Sequence, residues 1–132
     1  MHEVRLERSG WRDEGLSALH RTWGWDCPMI DIDWLVVEYD NAVPVALVEY
    51  KNEHAKPVDP THPSYRTLAL MGDRARIPSV VVHYKSDYSL FRPVALNSIA
   101  QSKIPTDNVL SQREYIRWIY RLRGRVLKEA SH

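Results

Sequence analysis

The sequence predicts an α/β (α+β) fold in which a mixed β-sheet is flanked by helices. Two observations carry that expectation. β-rich runs alternate with segments that bear helix start signals, in the order helix, hairpin, helix, strands, helix. The size and composition suit one core: 132 residues and 15.4 kDa, with 44% hydrophobic and 27% charged residues. Those proportions exclude a disordered or fibrous chain, so a single domain over residues 1–132 is expected.

The first helix is expected over Trp11 to Trp23, capped by Ser9 and ended by Gly24. Trp11, Leu16, Leu19 and Trp23 suit its apolar stripe, with His20 on the same face as Trp23. Pro28 reads as the entry to a strand, and Ile30 to Tyr39 is β-rich. A polar turn, Asp40-Asn41-Ala42, joins it to a second β-rich run, Val43 to Lys51, as an antiparallel hairpin. Residues 52–62 hold two prolines and no periodicity and form a loop. Pro63 suits the first turn of a helix running to about Ala75, with Leu68, Leu70 and Met71 among its apolar positions. Ser79 to Tyr84 is a third strand whose three valines are expected to be buried on both faces. Lys85 to Ser89 is a turn, and Leu90 to Leu96 a fourth strand that Pro93 places near an edge. The last helix starts at Ser111, where Ser111 and Glu114 form a capping box, and runs to about Lys128. On it Ile116, Ile119, Val126 and Leu127 are expected to bury.

Several function classes are excluded. No apolar run approaches the roughly 20 residues of a membrane span. The opening MHEVRLERSGWRDEG is charged throughout and lacks the apolar stretch of a signal peptide, so a cytoplasmic, non-membrane protein is expected. A single cysteine, Cys27, rules out an internal disulfide framework and a zinc site of several thiolates. The histidines lack metal-ligand spacing, and neither a G-x-S-x-G elbow nor a glycine-rich phosphate loop occurs. The five tryptophans are expected mainly in the core.

The net charge of +1 hides a segregation. From Asp26 to Asp59 eight acids face two lysines, a net of −6; from Ser111 to His132 six bases face two acids, a net of +4. An acidic centre beside a basic arm suits a site that holds cations next to a surface that holds phosphates.

The chemistry concentrates on the hairpin. Asp31 and Asp33 are two apart on the first strand and point to one face; Val45, Leu47, Glu49 and Lys51 share a face on the second. Glu49 and Lys51 end an otherwise apolar strand, where charges are costly unless paired or bound to a cation. In an in-register hairpin Asp33 or Asp31 lies across from Glu49 or Lys51. Two carboxylates offer oxygen ligands to hard Mg²⁺, with water and phosphate completing the octahedron, and a lysine beside them can orient the water or stabilise developing charge. The plainer alternative is a hairpin with cross-strand ion pairs.

D-I-D-W…A-L-V-E-Y-K resembles the core of the PD-(D/E)xK nuclease superfamily, the restriction-endonuclease-like and Holliday-junction-resolvase-like proteins. The resemblance implies a metal-dependent endonuclease that hydrolyses DNA, using Mg²⁺ or Mn²⁺. It implies Asp33 as the strand acid, Glu49 as the second ligand, Lys51 as the catalytic lysine and Glu14, on the first helix, as a further metal ligand. The family's proline before the aspartate is replaced here by Ile32, which leaves Asp31 as an alternative to Asp33. DNA is the expected partner, and a homodimer a candidate assembly. On the last helix Arg113, Arg117 and Arg121 recur at i, i+4, i+8 as a stripe for phosphates. A nucleic-acid-binding or inhibitor protein that keeps the fold without catalysis is the competing function, and a plain protein-interaction domain a third.

Overall fold

A computed structural model of the chain describes residues 14–23 and 28–127. The expected cap Ser9, together with Trp11, Gly24, Trp25, Cys27 and Lys128, lies outside the described residues. The chain divides into two units, Met1–Asp31 and Ile32–His132. In the first, helix α1 spans Glu14–Thr22 with Glu14 in its first turn, where a carboxylate favours the helix dipole. The His20 and Trp23 rings meet at 4.7 Å, as their shared face predicts.

The second unit is a mixed α+β fold built on a five-stranded sheet in the order β1-β2-β3-β4-β5. Strands β1 (Trp34–Glu38) and β2 (Val43–Asn52) form the expected antiparallel hairpin, closed by a 3₁₀ turn over Tyr39–Asn41. The first strand is shorter than the β-rich run from Ile30, because pairing begins only at Trp34↔Val48. β2 pairs in parallel with β3 (Ser79–Tyr84), which demands a crossover, and helix α2 (Pro63–Ala75) supplies it. Both α2 and β3 have the expected bounds. Pro63 opens α2, and the His62 side chain caps it by accepting from Ser64 N.

β4 (Leu90–Ala95) runs antiparallel to β3, and the two-residue β5 (Leu110–Ser111) pairs only with Leu90 and Phe91. Beyond Phe91, β4 is therefore an edge. The Pro93 carbonyl accepts from Asn108 Nδ2, so Pro93 turns its imide nitrogen away from β3 and costs the ladder no hydrogen bond.

Between β4 and β5 the four-residue helix α3 (Ser98–Gln101) is capped by Asn97. Asn97 is buried and spans three elements: Oδ1 accepts from Ala100 N and Ser79 N, and Nδ2 donates to Ile77 O. Helix α4 (Gln112–Leu122) starts on the expected capping box, with both Ser111–Glu114 bonds made. It stops short of Lys128. Gly124, at φ 71°, closes it with Gly124 N–Arg121 O and Arg125 N–Tyr120 O bonds, a Schellman pair.

Alternation along the strands separates two cores. Ala46, Val48, Val80 and Val82 face Ala100, Tyr115 and Trp118 of α3 and α4. Leu47, Val81 and Ser79 take the other face, where the Ser79 hydroxyl donates to Leu68 O of α2. The valines of β3 are thus buried on both faces as expected. Tyr115 and Trp118, rather than Ile116 and Val126, are the buried anchors of α4; Val126 is 83% exposed. On α2, Leu68 and Gly72 bury while Leu70 and Met71 are exposed.

Candidate active site

Asp33, Glu49 and Lys51 meet at one end of the sheet. The pairing Trp34↔Val48, which follows a one-residue register shift between Val36 and Val37, continues one step to Asp33 opposite Glu49, one of the pairings that the sequence left open. Asp33 immediately precedes β1, and its Oδ2 accepts from Tyr50 N at 3.1 Å, continuing the hairpin after its backbone ladder has ended. A main-chain donor on a paired strand thereby fixes the Asp33 carboxylate beside that of Glu49.

Glu49 and Lys51 share a face two residues apart, with Lys51 Nζ 3.5 Å from Glu49 Oε1. The Glu49 side chain is only 16% exposed, while that of Lys51 is 39% exposed. Burial pushes the Glu49 carboxyl above the ordinary carboxylate range, and the Asp33 charge adds to the rise, against the opposing pull of Lys51. A desolvated carboxylate with a second carboxylate beside it describes a place where a cation would be favoured.

Among the described residues no group of three or more His, Cys, Asp or Glu side chains could hold a metal ion. The candidate centre is therefore a two-carboxylate one. That donor set fits Mg²⁺ or Mn²⁺, which accept one or two protein carboxylates and fill the remaining positions with water and phosphate oxygens. Glu14 opens α1 and Asp31 closes the first unit; the centre described here is built within the second.

The same face carries two residues that the sequence reading passed over. In the parallel and antiparallel ladders Lys51 pairs with His83, and His83 with Arg92. A row Lys51–His83–Arg92 thus crosses three strands beside the carboxylates. Burial, then the charges of Arg92 and Lys51, hold the His83 pKa below that of an ordinary imidazole. The signal was present in β3, where His83 falls two residues after Val81 and so shares its face, but the partner strand's register was needed to bring Arg92 beside it.

The arginine stripe lies elsewhere. Arg113, Arg117 and Arg121 are exposed on α4, which packs through Tyr115 and Trp118 on the sheet face opposite to Glu49 and Lys51. Arg117 and Arg121 border an open cleft of about 580 Å³ with Asp107 and Glu114. Arg123 and Arg125 are engaged by the buried Glu38, whose carboxylate accepts from both guanidinium groups. The Arg125 hydrogen bond is the chief reason that the Glu38 pKa is held below the usual range.

Among the described residues no helix is long and apolar enough to cross a membrane. In comparisons with known proteins the chain matches no family model, no curated protein and no solved structure.

Proposed function

We propose that this chain is a metal-dependent endonuclease of the restriction-endonuclease-like kind, hydrolysing phosphodiester bonds of DNA. One observation carries the reading: Asp33, Glu49 and Lys51, the residues of the nuclease-like motif, converge at the end of a paired hairpin with the Asp33 carboxylate tied to Tyr50 N.

In this reading Asp33 and Glu49 hold Mg²⁺ or Mn²⁺. When bound, the cation supplies Lewis-acid charge for the phosphoryl and leaving oxygens. Lys51 contributes an ammonium donor next to them, placed to orient the attacking water or to meet the charge that grows on the phosphoryl oxygens. Its pairing with Glu49 limits where that donor can go. The Tyr50 N–H bond pre-positions Asp33, so that little reorganisation is left for the bound state. The raised Glu49 pKa favours occupation by a cation over two bare negative charges side by side.

The test is nicking of supercoiled plasmid by purified protein in Mg²⁺ and in EDTA, with Asp33→Asn alongside. Nicking in Mg²⁺ that EDTA and Asp33→Asn both abolish is the expected result. Undiminished nicking in EDTA or by the variant overturns it. Binding of DNA with no cleavage in any metal assigns the chain instead to the non-catalytic nucleic-acid-binding class.

A further inference from the structure

We infer that Lys51, His83 and Arg92 form a phosphate-binding row that holds the DNA strand next to the carboxylate pair, an inference that rests on the nuclease reading above. The row is set by register: Lys51↔His83 and His83↔Arg92 are direct cross-strand neighbours, so all three side chains leave the same face of the sheet. With strands about 4.8 Å apart, it spans about 10 Å from β2 to β4. It begins at Lys51, which is already paired with Glu49, and runs away from Asp33.

The chemistry along it is that of a phosphate site. Arg92 offers a planar fork suited to bidentate phosphate binding, and His83 a ring donor between the Lys51 amine and the Arg92 guanidinium. Among the described residues no carboxylate pairs with Arg92. His83 and Arg92 border an open recess of about 240 Å³ that Lys85 and Glu53 also line. The Glu53 carboxylate is held by Ser86 N at 3.2 Å and His54 Nε2 at 3.3 Å. The site face therefore runs from two carboxylates to a row of nitrogen donors, and that order gives a bound strand a direction. The phosphate to be cut lies at Asp33, Glu49 and Lys51, and its neighbour on the β4 side lies at Arg92. The arginines of α4 do not share this face, and Arg123 and Arg125 are occupied by Glu38.

The experiment measures affinity for a short fluorescein-labelled DNA duplex across a salt series, in Ca²⁺ so that binding is read without turnover. The proteins are wild type, Arg92→Gln, Arg92→Lys and Arg117→Gln, with plasmid nicking in Mg²⁺ followed in parallel. Arg92 is exposed, so its variants should keep the wild-type melting temperature. If Arg92 holds a phosphate, Arg92→Gln flattens the slope of log affinity against log salt by about 0.9, the loss of one phosphate contact, and Arg92→Lys restores it. An unchanged slope in Arg92→Gln while wild type still nicks plasmid overturns the row and leaves the nuclease standing. A slope that falls in Arg117→Gln and not in Arg92→Gln moves the DNA to the far face and overturns it as well. Wild-type protein that neither binds nor cuts overturns both readings.

Discussion

The two faces of the sheet diverge most at the end where β2 and β3 finish. On one face Trp34, Tyr50, Tyr84, Tyr88 and Phe91 line an aromatic recess of about 440 Å³, and the Tyr50 and Tyr115 hydroxyls meet at 2.6 Å. On the other face stand Asp33, Glu49, Lys51, His83 and Arg92. The two sets interleave in the chain: Trp34 follows Asp33, Tyr50 separates Glu49 from Lys51, and Tyr84 follows His83. A period of two sends neighbours to opposite sides, so one stretch of backbone serves a core and a charged site together. Tyr50 joins them directly. Its ring lies against Tyr115 of α4 while its main-chain N–H holds Asp33. Burial pushes the phenol pKa of both tyrosines up, which keeps both hydroxyls protonated and the link neutral. A site built this way inherits the rigidity of the apolar side without taking any apolar residue into its chemistry.

The comparison is sharpest at Lys51, where a charged side chain can be removed without touching the core behind it. Lys51→Ala should lower the rate of plasmid nicking by about 10²–10³-fold, the scale of losing one donor aimed at developing charge. Duplex affinity in Ca²⁺ should fall far less, by no more than one lost phosphate contact, because in the proposed reading His83 and Arg92 still hold the strand. Single-turnover rates and binding curves for the same preparation separate the two. A wild-type rate in the variant would reduce the hairpin's charged end to cross-strand structure.

The second perturbation attacks the packing beneath the charged face. A Cβ at Gly72 of α2 would lie 2.0 Å from Ser79 Oγ, 2.7 Å from Asn97 Nδ2 and 2.9 Å from Ile77 O. Gly→Ala inside a helix ordinarily stabilises by about 0.5–1 kcal/mol through backbone entropy. Here the added methyl must displace the Ser79 and Asn97 side chains, whose four hydrogen bonds hold only if they stay put: Ser79 Oγ donates to Leu68 O, Asn97 Oδ1 accepts from Ser79 N and Ala100 N, and Asn97 Nδ2 donates to Ile77 O. Overpacking of that kind costs about 1–3 kcal/mol, so the sign reverses. Gly72→Ala should therefore lower the midpoint of urea unfolding. A raised midpoint would mean that α2 rides loosely on the sheet.

Much of this architecture was legible because it is local. Pro63, the Ser111–Glu114 box and the run of valines in β3 act within a few residues, and the elements they mark have the expected starts. The facing of Asp33 and Glu49 was legible only as one of several pairings: the turn sets Glu38 opposite Val43, and the one-residue register shift between Val36 and Val37 is what brings Asp33 opposite Glu49. What escaped depends on contacts far apart in the chain. Arg92 meets His83 only once β4 has paired, and Glu38 meets Arg123 and Arg125 across more than 80 residues. That last contact joins members of the acidic centre and of the basic arm, so part of the charge segregation is structural. Helix α4 was misread at its end because Gly124 closes it, and in its stripe because the aromatic Tyr115 and Trp118 fill the core that Ile116 and Val126 were expected to fill. Trp34 departs from the expected core in the opposite sense: it is 51% exposed, on the edge strand.

The smallest effect is a gain in stability that should accompany loss of function. Glu49 has its pKa raised in the folded chain, chiefly by burial and then by Asp33, from an ordinary value of 4.5. As pH rises above 4.5 the unfolded chain releases this proton first, so the folded state binds more protons and stability falls until the folded pKa has been passed. At neutral pH in EDTA, Glu49 is therefore a cost to folding. Glu49→Gln keeps the shape of the protonated acid and removes the charge, so it should melt higher than wild type at neutral pH. The difference should close as the pH is lowered below 4.5, where the wild-type carboxyl is also neutral. Added Mg²⁺ gives the other half of the test. A cation that binds only the folded state stabilises it by mass action, so wild type should gain melting temperature with Mg²⁺ while Glu49→Gln, having lost a ligand, gains less. Equal gains in both would remove Glu49 from the metal centre, and a lower melting temperature for the variant in EDTA would show that its pairing with Lys51 outweighs its burial.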